Sequence, residues 1–146
     1  TGELCKKSGI HFAFPNEDYE FNHRLDGKLI YDLILQTTNK NLVWQQMDIG
    51  NMYELGGRAL HFLKEYPGRF FSMHVKDEMK RDSPGPDGKL YENTVLGKGV
   101  MPVKEIIDYA RKTGTRYFII EQEDYQDKTP LECAAADLKK MKSWGF

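Results

Sequence analysis

Cysteine is scarce in this 146-residue sequence, with Cys5 and Cys133 far apart and in no CxxC pair. A disulfide framework and a thiolate metal knuckle are therefore excluded. Excess charge of either sign is also missing: 21 Lys and Arg stand against 22 Asp and Glu, a net charge of −1. With no basic block or stripe, nucleic acid is not an implied partner. No apolar run is long enough to span a bilayer, and no signal-peptide pattern is visible at Thr1. A dinucleotide fingerprint is absent too, because Gly97-Lys98-Gly99 lacks the third glycine and does not directly follow a strand.

Four short apolar runs are present, over residues 10–14, 42–47, 70–73 and 117–120, and each ends in a polar tip. They read as strands. Apolar residues recur at helical spacing between and after them, over residues 29–35, 58–66, 102–113 and 130–142. Pro67-Gly68 and Gly114 are the stop signals of two of these helices, and residues 2–9 look like the last turns of another, capped by Gly9. The polar stretch 78–99, with Pro84, Gly85, Pro86 and Gly88, has no periodic apolar pattern and reads as a long lid-like loop. Cys5 and Cys133 fall in helices as inert thiols, His23 and His61 on the surface, and His11 in a strand. Arg58, Lys64 and Arg69 read as a solvated charged face.

The order is an α/β one: four βα units, enough for half of an eight-stranded barrel or for a small doubly wound sheet. Parallel βα folds place their sites at the carboxyl ends of strands. There this sequence puts Glu17 or Glu20, Asp48, His74 and Glu121. Carboxylates with one imidazole suit a divalent cation that polarises a carbonyl or hydroxyl oxygen. Such a site favours loss of a proton beside a carbonyl, through an enediolate, with a ligand carboxylate that keeps a free oxygen as the base. Lys76 shares a side with His74 by strand alternation and is a candidate oxyanion or substrate contact; a Lys76–Asp77 surface pair is the plain alternative.

Along nearly its whole length the chain resembles the sugar phosphate isomerase/epimerase family, whose xylose isomerase-like TIM barrel also serves inosose dehydratases and ketose 3-epimerases. The resemblance lies in Asp18-Tyr19-Glu20-Phe21, Met47-Asp48-Ile49-Gly50-Asn51 followed by Gly56-Gly57, and Tyr66-Pro67-Gly68-Arg69-Phe70 leading to His74-Val75-Lys76-Asp77. Leu96-Gly97-Lys98-Gly99 and Ile120-Glu121-Gln122 complete it. It implies that residues 1–146 are the C-terminal half of such a barrel, strands five to eight, with the N-terminal half missing or replaced by a second copy in a homo-oligomer.

It also implies a divalent metal, manganese first and zinc, cobalt, magnesium or iron as alternatives, held by Asp48, His74 and Glu121. Relatives have His-Asn-His where this chain has Pro15-Asn16-Glu17, so Glu17 replaces the first-strand ligand or that place is lost. Carried over, Glu121, Glu17 and Lys76 are the catalytic candidates, and Lys76, Asn51 and Asn16 the substrate contacts. The activity implied is isomerisation or epimerisation of a sugar or sugar phosphate. A dehydratase or lyase, and a degenerate carbohydrate-binding relative, are the alternatives. The compartment, cytoplasmic or periplasmic, stays open.

Overall fold

The computed structural model describes residues 1–56, 58–86 and 88–146; Gly57 of the Gly56-Gly57 pair lies outside the described residues. The chain runs α1 (Gly2–Lys7), β1 (Ala13–Pro15), α2 (Tyr19–Asn22), β2 (Arg24–Leu25), β3 (Lys28–Leu29), α3 (Ile30–Thr37), β4 (Trp44–Asp48) and α4 (Ile49–Glu54). It continues with α5 (Ala59–Glu65), β5 (Phe70–Val75), β6 (Asp77–Lys80), β7 (Tyr91–Thr94), α6 (Val103–Lys112), β8 (Tyr117–Ile120) and α7 (Pro130–Ser143).

The main sheet is four-stranded and parallel, in the order β1-β4-β5-β8. Each strand lies beside its predecessor in the chain. A doubly wound sheet reverses its order at a switch point, and this one never does. The sheet is therefore four βα units of a barrel, and the doubly wound alternative falls away.

The helices cover one face. Met47, Phe70, Met73 and Val75 from the strands pack with Phe62, Leu63, Val103, Ile106, Ile107 and Ala110 in one apolar cluster. The spacing that predicts α6 is the spacing that is buried. α7 starts at a capping box, with Thr129 and Glu132 bonded to each other's backbone and Pro130 at the first helical positions.

Strand alternation is reset inside β5. Gln45 pairs with Phe70, yet the next β4 residue, Gln46, pairs with Ser72. This one-residue shift leaves both Phe70 and Met73 on the helix-covered face and sends His74 to the other. Trp44, Tyr117 and Ile119 share that second, open face, where His11, Trp44, Phe71 and Tyr117 make a row of ring contacts across the sheet.

Several expectations are corrected. The first strand begins at Ala13, not at residue 10, and His11 precedes it as an exposed residue. The stretch 78–99 is not a structureless loop: β6 and β7 pair antiparallel from Asp77↔Thr94 to Lys80↔Tyr91. Alternation there goes unread because Glu, Asn, Lys and Thr occupy most positions. Arg69 is buried, not solvated; it donates to the Leu35 carbonyl and, at 2.8 Å, to Thr38 Oγ1. Among the described residues no helix is long and apolar enough to cross a membrane.

Candidate functional site

Asp48 ends β4 and caps α4. Its Oδ1 accepts the Asn51 N–H at 2.9 Å, which leaves Oδ2 turned toward β5. His74 is its register partner on β5, and Glu121 follows β8, its N–H bonded to the Val75 carbonyl at 3.2 Å. Three adjacent strand ends thus bring three side chains to one point. One ligand atom from each of Asp48, His74 and Glu121 lies within 4.8 Å of the others. His74 Nδ1 is 2.5 Å from Glu121 Oε2 and 3.5 Å from Asp48 Oδ2.

Lys76 completes the cluster. It is 2 % exposed, and its Nζ sits 3.0 Å from Asp48 Oδ2, 3.2 Å from Glu121 Oε2 and 3.1 Å from Glu123 Oε2. The surface pairing with Asp77 is overturned. Asp77 points elsewhere and accepts the backbone N–H groups of Glu78, Gly97, Gly99 and Met101, tying the 97–101 segment to the hairpin.

The charges respond to this crowding. Burial pushes the Asp48 carboxyl up, but the His74 hydrogen bond, the Lys76 charge and the Asn51 N–H outweigh it and hold Asp48 below the ordinary aspartate range. The hydrogen bond to Asp48 raises the His74 imidazole above its usual value, with the Glu121 and Asp48 charges adding and burial opposing. Burial works against the Lys76 ammonium, yet Asp48, Glu121 and Glu123 keep it protonated well above the usual lysine range.

The donor set fits a divalent cation: two carboxylate oxygens and an imidazole nitrogen converge from rigid strand ends. Ligand atoms about 2.1 Å from a metal lie roughly 3 Å apart, the scale of the separations here. Lys76 already neutralises the same two oxygens, Asp48 Oδ2 and Glu121 Oε2.

The remaining candidates divide. Glu17 is not in the three-residue group; its Oε2 accepts from Asn51 Nδ2 at 3.1 Å, and its N–H donates to Glu20 Oε2 at 2.9 Å. Burial and the Asp48, Asp18 and Glu20 charges raise the Glu17 carboxyl, with Lys76 opposing. Asn51 therefore links Glu17 to Asp48. Asn16 is 1 % exposed, and both ends of its amide bond the Asp48 backbone. It positions Asp48, with one bond used at each amide atom.

Sequence reasoning missed Glu78, Glu54, Glu92 and Asn93. They join this neighbourhood only because β6 and β7 fold back beside α4. Tyr91-Glu92-Asn93-Thr94 carries no apolar alternation, so no local signal pointed to a strand there.

No protein-family profile and no curated protein matches the chain. Solved structures do. A sugar phosphate isomerase/epimerase from Parabacteroides distasonis superposes with a TM-score of 0.77 at 22% identity, over 97% of this chain and 48% of that one. A xylose isomerase domain protein from Planctomyces limnophilus gives 0.68 at 15% identity, over 98% and 49%. A D-tagatose 3-epimerase-like protein gives 0.61 at 17% identity, over 98% and 49%. The chain spans about half the length of these structures, and its fold is that of half a TIM barrel.

Proposed function

We propose that this chain is the C-terminal half, strands five to eight, of a metal-dependent isomerase or epimerase of carbohydrate metabolism. The observation that carries the reading is the meeting of Asp48, His74 and Glu121 at three successive strand ends. The names of the similar structures support a sugar as substrate.

Asp48, His74 and Glu121 would hold the metal, manganese first among the candidates. When bound, it supplies a Lewis acid for the oxygens of a hydroxy-carbonyl compound. Glu121, a third exposed, is placed to take a proton from the carbon beside the carbonyl and return it, through an enediolate. Lys76 stabilises the negative oxygen that forms. Glu17 is the second carboxyl available for proton return, poised by Asn51. Asn16 keeps Asp48 in place from beneath.

The open face and the free outer edges of β1 and β8 are covered, in this reading, by the other half of the barrel, from a longer chain or a second copy. Tyr117 and Ile119, 56 % and 43 % exposed, lie on that face. Free parallel edges and exposed apolar rings invite pairing.

One observation favours a second reading. Lys76 supplies the positive charge that the carboxylates need, so the cluster can stand as an ion-pair network in a non-catalytic carbohydrate-binding relative. Metal analysis of dialysed protein separates the two. About one equivalent of manganese, zinc, cobalt or iron, lost in Glu121→Ala, supports the enzyme. No uptake after soaking with manganese means either a degenerate site, as in the binding protein, or a site that needs the other half of the barrel, and the same assay on the chain joined to that half separates the two.

A further inference from the structure

Asn93 has a bond at every polar group it carries. It lies in β7 opposite Glu78 of β6 and is 6 % exposed. In an antiparallel pair, alternate residues turn their backbone groups away from the partner strand. Asn93 is such a residue: its N–H donates to Asp124 Oδ2 at 3.0 Å, and its carbonyl accepts from Gln126 Nε2 at 2.7 Å. The side chain works in both directions. Nδ2 donates to Glu78 Oε1 at 2.5 Å, and Oδ1 accepts the Glu123 N–H at 2.9 Å. Three of the four bonds thus go to the segment 123–126, which follows Glu121.

The hairpin that carries Asn93 is itself held at several points. The Glu78 carbonyl, turned outward like the Asn93 backbone groups, accepts the Val100 N–H at 2.7 Å. Asp77 binds the N–H groups of Gly97, Gly99 and Met101. Nearer the turn, Lys89 lies 3.0 Å from Glu54 Oε2 and 3.6 Å from Asp18 Oδ2. The hairpin therefore reaches from the loop after β1 to the segment after β8, and it frames what Asn93 holds.

That segment bears on the cluster. Glu123 Oε2 is 3.1 Å from Lys76 Nζ, which also touches Asp48 Oδ2 and Glu121 Oε2. Lys76 is buried, but the Glu123 side chain is 65 % exposed. A solvated carboxylate on a free backbone gains little from an ion pair, because ordering the side chain offsets the attraction. A backbone already pinned at the Glu123 N–H removes part of that cost. Asn16 acts in the same way on Asp48, so one asparagine stands on each side of β5.

We infer that Asn93 is a positioning residue of the site: by fixing the segment 123–126 it keeps Glu123 on Lys76, and so keeps the Lys76 ammonium seated on Asp48 and Glu121. The inference rests on the reading of this cluster as the functional site and extends that site to the β6–β7 hairpin.

The test is acetylation of Lys76 by acetic anhydride on the metal-free protein, followed by mass spectrometry. Asn93→Leu should label Lys76 at least about tenfold faster than the unsubstituted protein, as a local opening does. Asn93→Asp combined with Glu78→Gln exchanges donor and acceptor across the ladder, keeps an acceptor for the Glu123 N–H, and should restore the slow rate. Thr129→Ala, which removes the α7 cap and none of these bonds, should leave the rate slow. An unchanged rate in Asn93→Leu, or a double variant that labels as fast as Asn93→Leu, overturns the inference. So does an equal rise in Thr129→Ala, because loss of stability alone then explains the labelling. If Asn93→Leu does not fold, hydrogen exchange on the unsubstituted protein decides: the Glu123 amide should exchange as slowly as the Asn93 amide, and fast exchange at Glu123 overturns the inference. Labelling is read without metal, so failure of the metal reading shows in manganese uptake and failure of this inference shows at Lys76.

Discussion

The side-chain amide of Asn16 makes two hydrogen bonds to the backbone of Asp48, donating to its carbonyl at 3.1 Å and accepting its N–H at 2.9 Å. The pair spans the loop after β1 and the end of β4, and it is buried. One asparagine thereby fixes the peptide unit that carries a candidate metal ligand. Asn16→Ala is expected to cost about 1–3 kcal/mol of stability, because two buried backbone groups lose their partner. It should also weaken manganese binding about tenfold to a hundredfold, as loss of a supporting residue does. Urea denaturation and metal titration on the same variant check the two effects separately.

Lys76 sits on Asp48 Oδ2 and Glu121 Oε2, the oxygens for which a metal held as proposed would compete. Lys76→Met should therefore destabilise the metal-free protein by about 3 kcal/mol, since it takes the ammonium from the buried Asp48 carboxylate, the more exposed Glu121 and Glu123 adding little. The same variant should gain more stability from added manganese than the unsubstituted protein does. Thermal denaturation with and without manganese reads the difference. An equal gain in both proteins would mean that Lys76 and the metal do not share ligands.

Burial, with the Glu54 charge, pushes the Glu78 carboxyl from its ordinary 4.5 up to about 7. A raised carboxyl binds its proton more tightly in the folded chain than in the unfolded one. Its contribution to stability is full below pH 4.5 and is lost as pH rises to about 7. The slope is at most about 1.4 kcal/mol for each pH unit crossed. Glu78→Gln imitates the protonated form, so its stability relative to the unsubstituted protein should improve across that window. Denaturant titrations at the two ends of the window measure it.

Gly50→Ala places a carbon 2.6 Å from Glu78 Oε1 and 2.8 Å from Lys76 Cδ. Both side chains must move in a buried setting, at an expected cost of about 1–3 kcal/mol. Because Lys76 also touches Asp48 and Glu121, manganese affinity should change together with stability.

Tyr117 and Ile119 tile the open face of the sheet. Tyr117→Lys with Ile119→Lys should reduce association of this chain with itself or with a complementary half-barrel, as read by sedimentation, and leave the far-ultraviolet circular dichroism unchanged.

Local pattern determined much of this protein. The runs ending at Asp48, His74 and Glu121 are apolar because they are strands, and the spacing of Val103, Ile106, Ile107 and Ala110 is a helix because one stripe of it must be buried. Those signals act within a few residues, so the four βα units and three of the cluster's side chains were legible. The tertiary structure decided what depends on distant pairing. Strand order excluded a doubly wound sheet. The register shift opposite Gln45 and Gln46 set the face of His74. Lys76 went to the carboxylates and not to Asp77, and Arg69 went inside. The polar hairpin of β6 and β7 brought Glu78 and Asn93 beside α4. A polar residue shows in sequence only that it needs a partner. Which partner it finds is settled when the strands are laid side by side, because a buried charge or amide takes whichever complement the fold brings within reach.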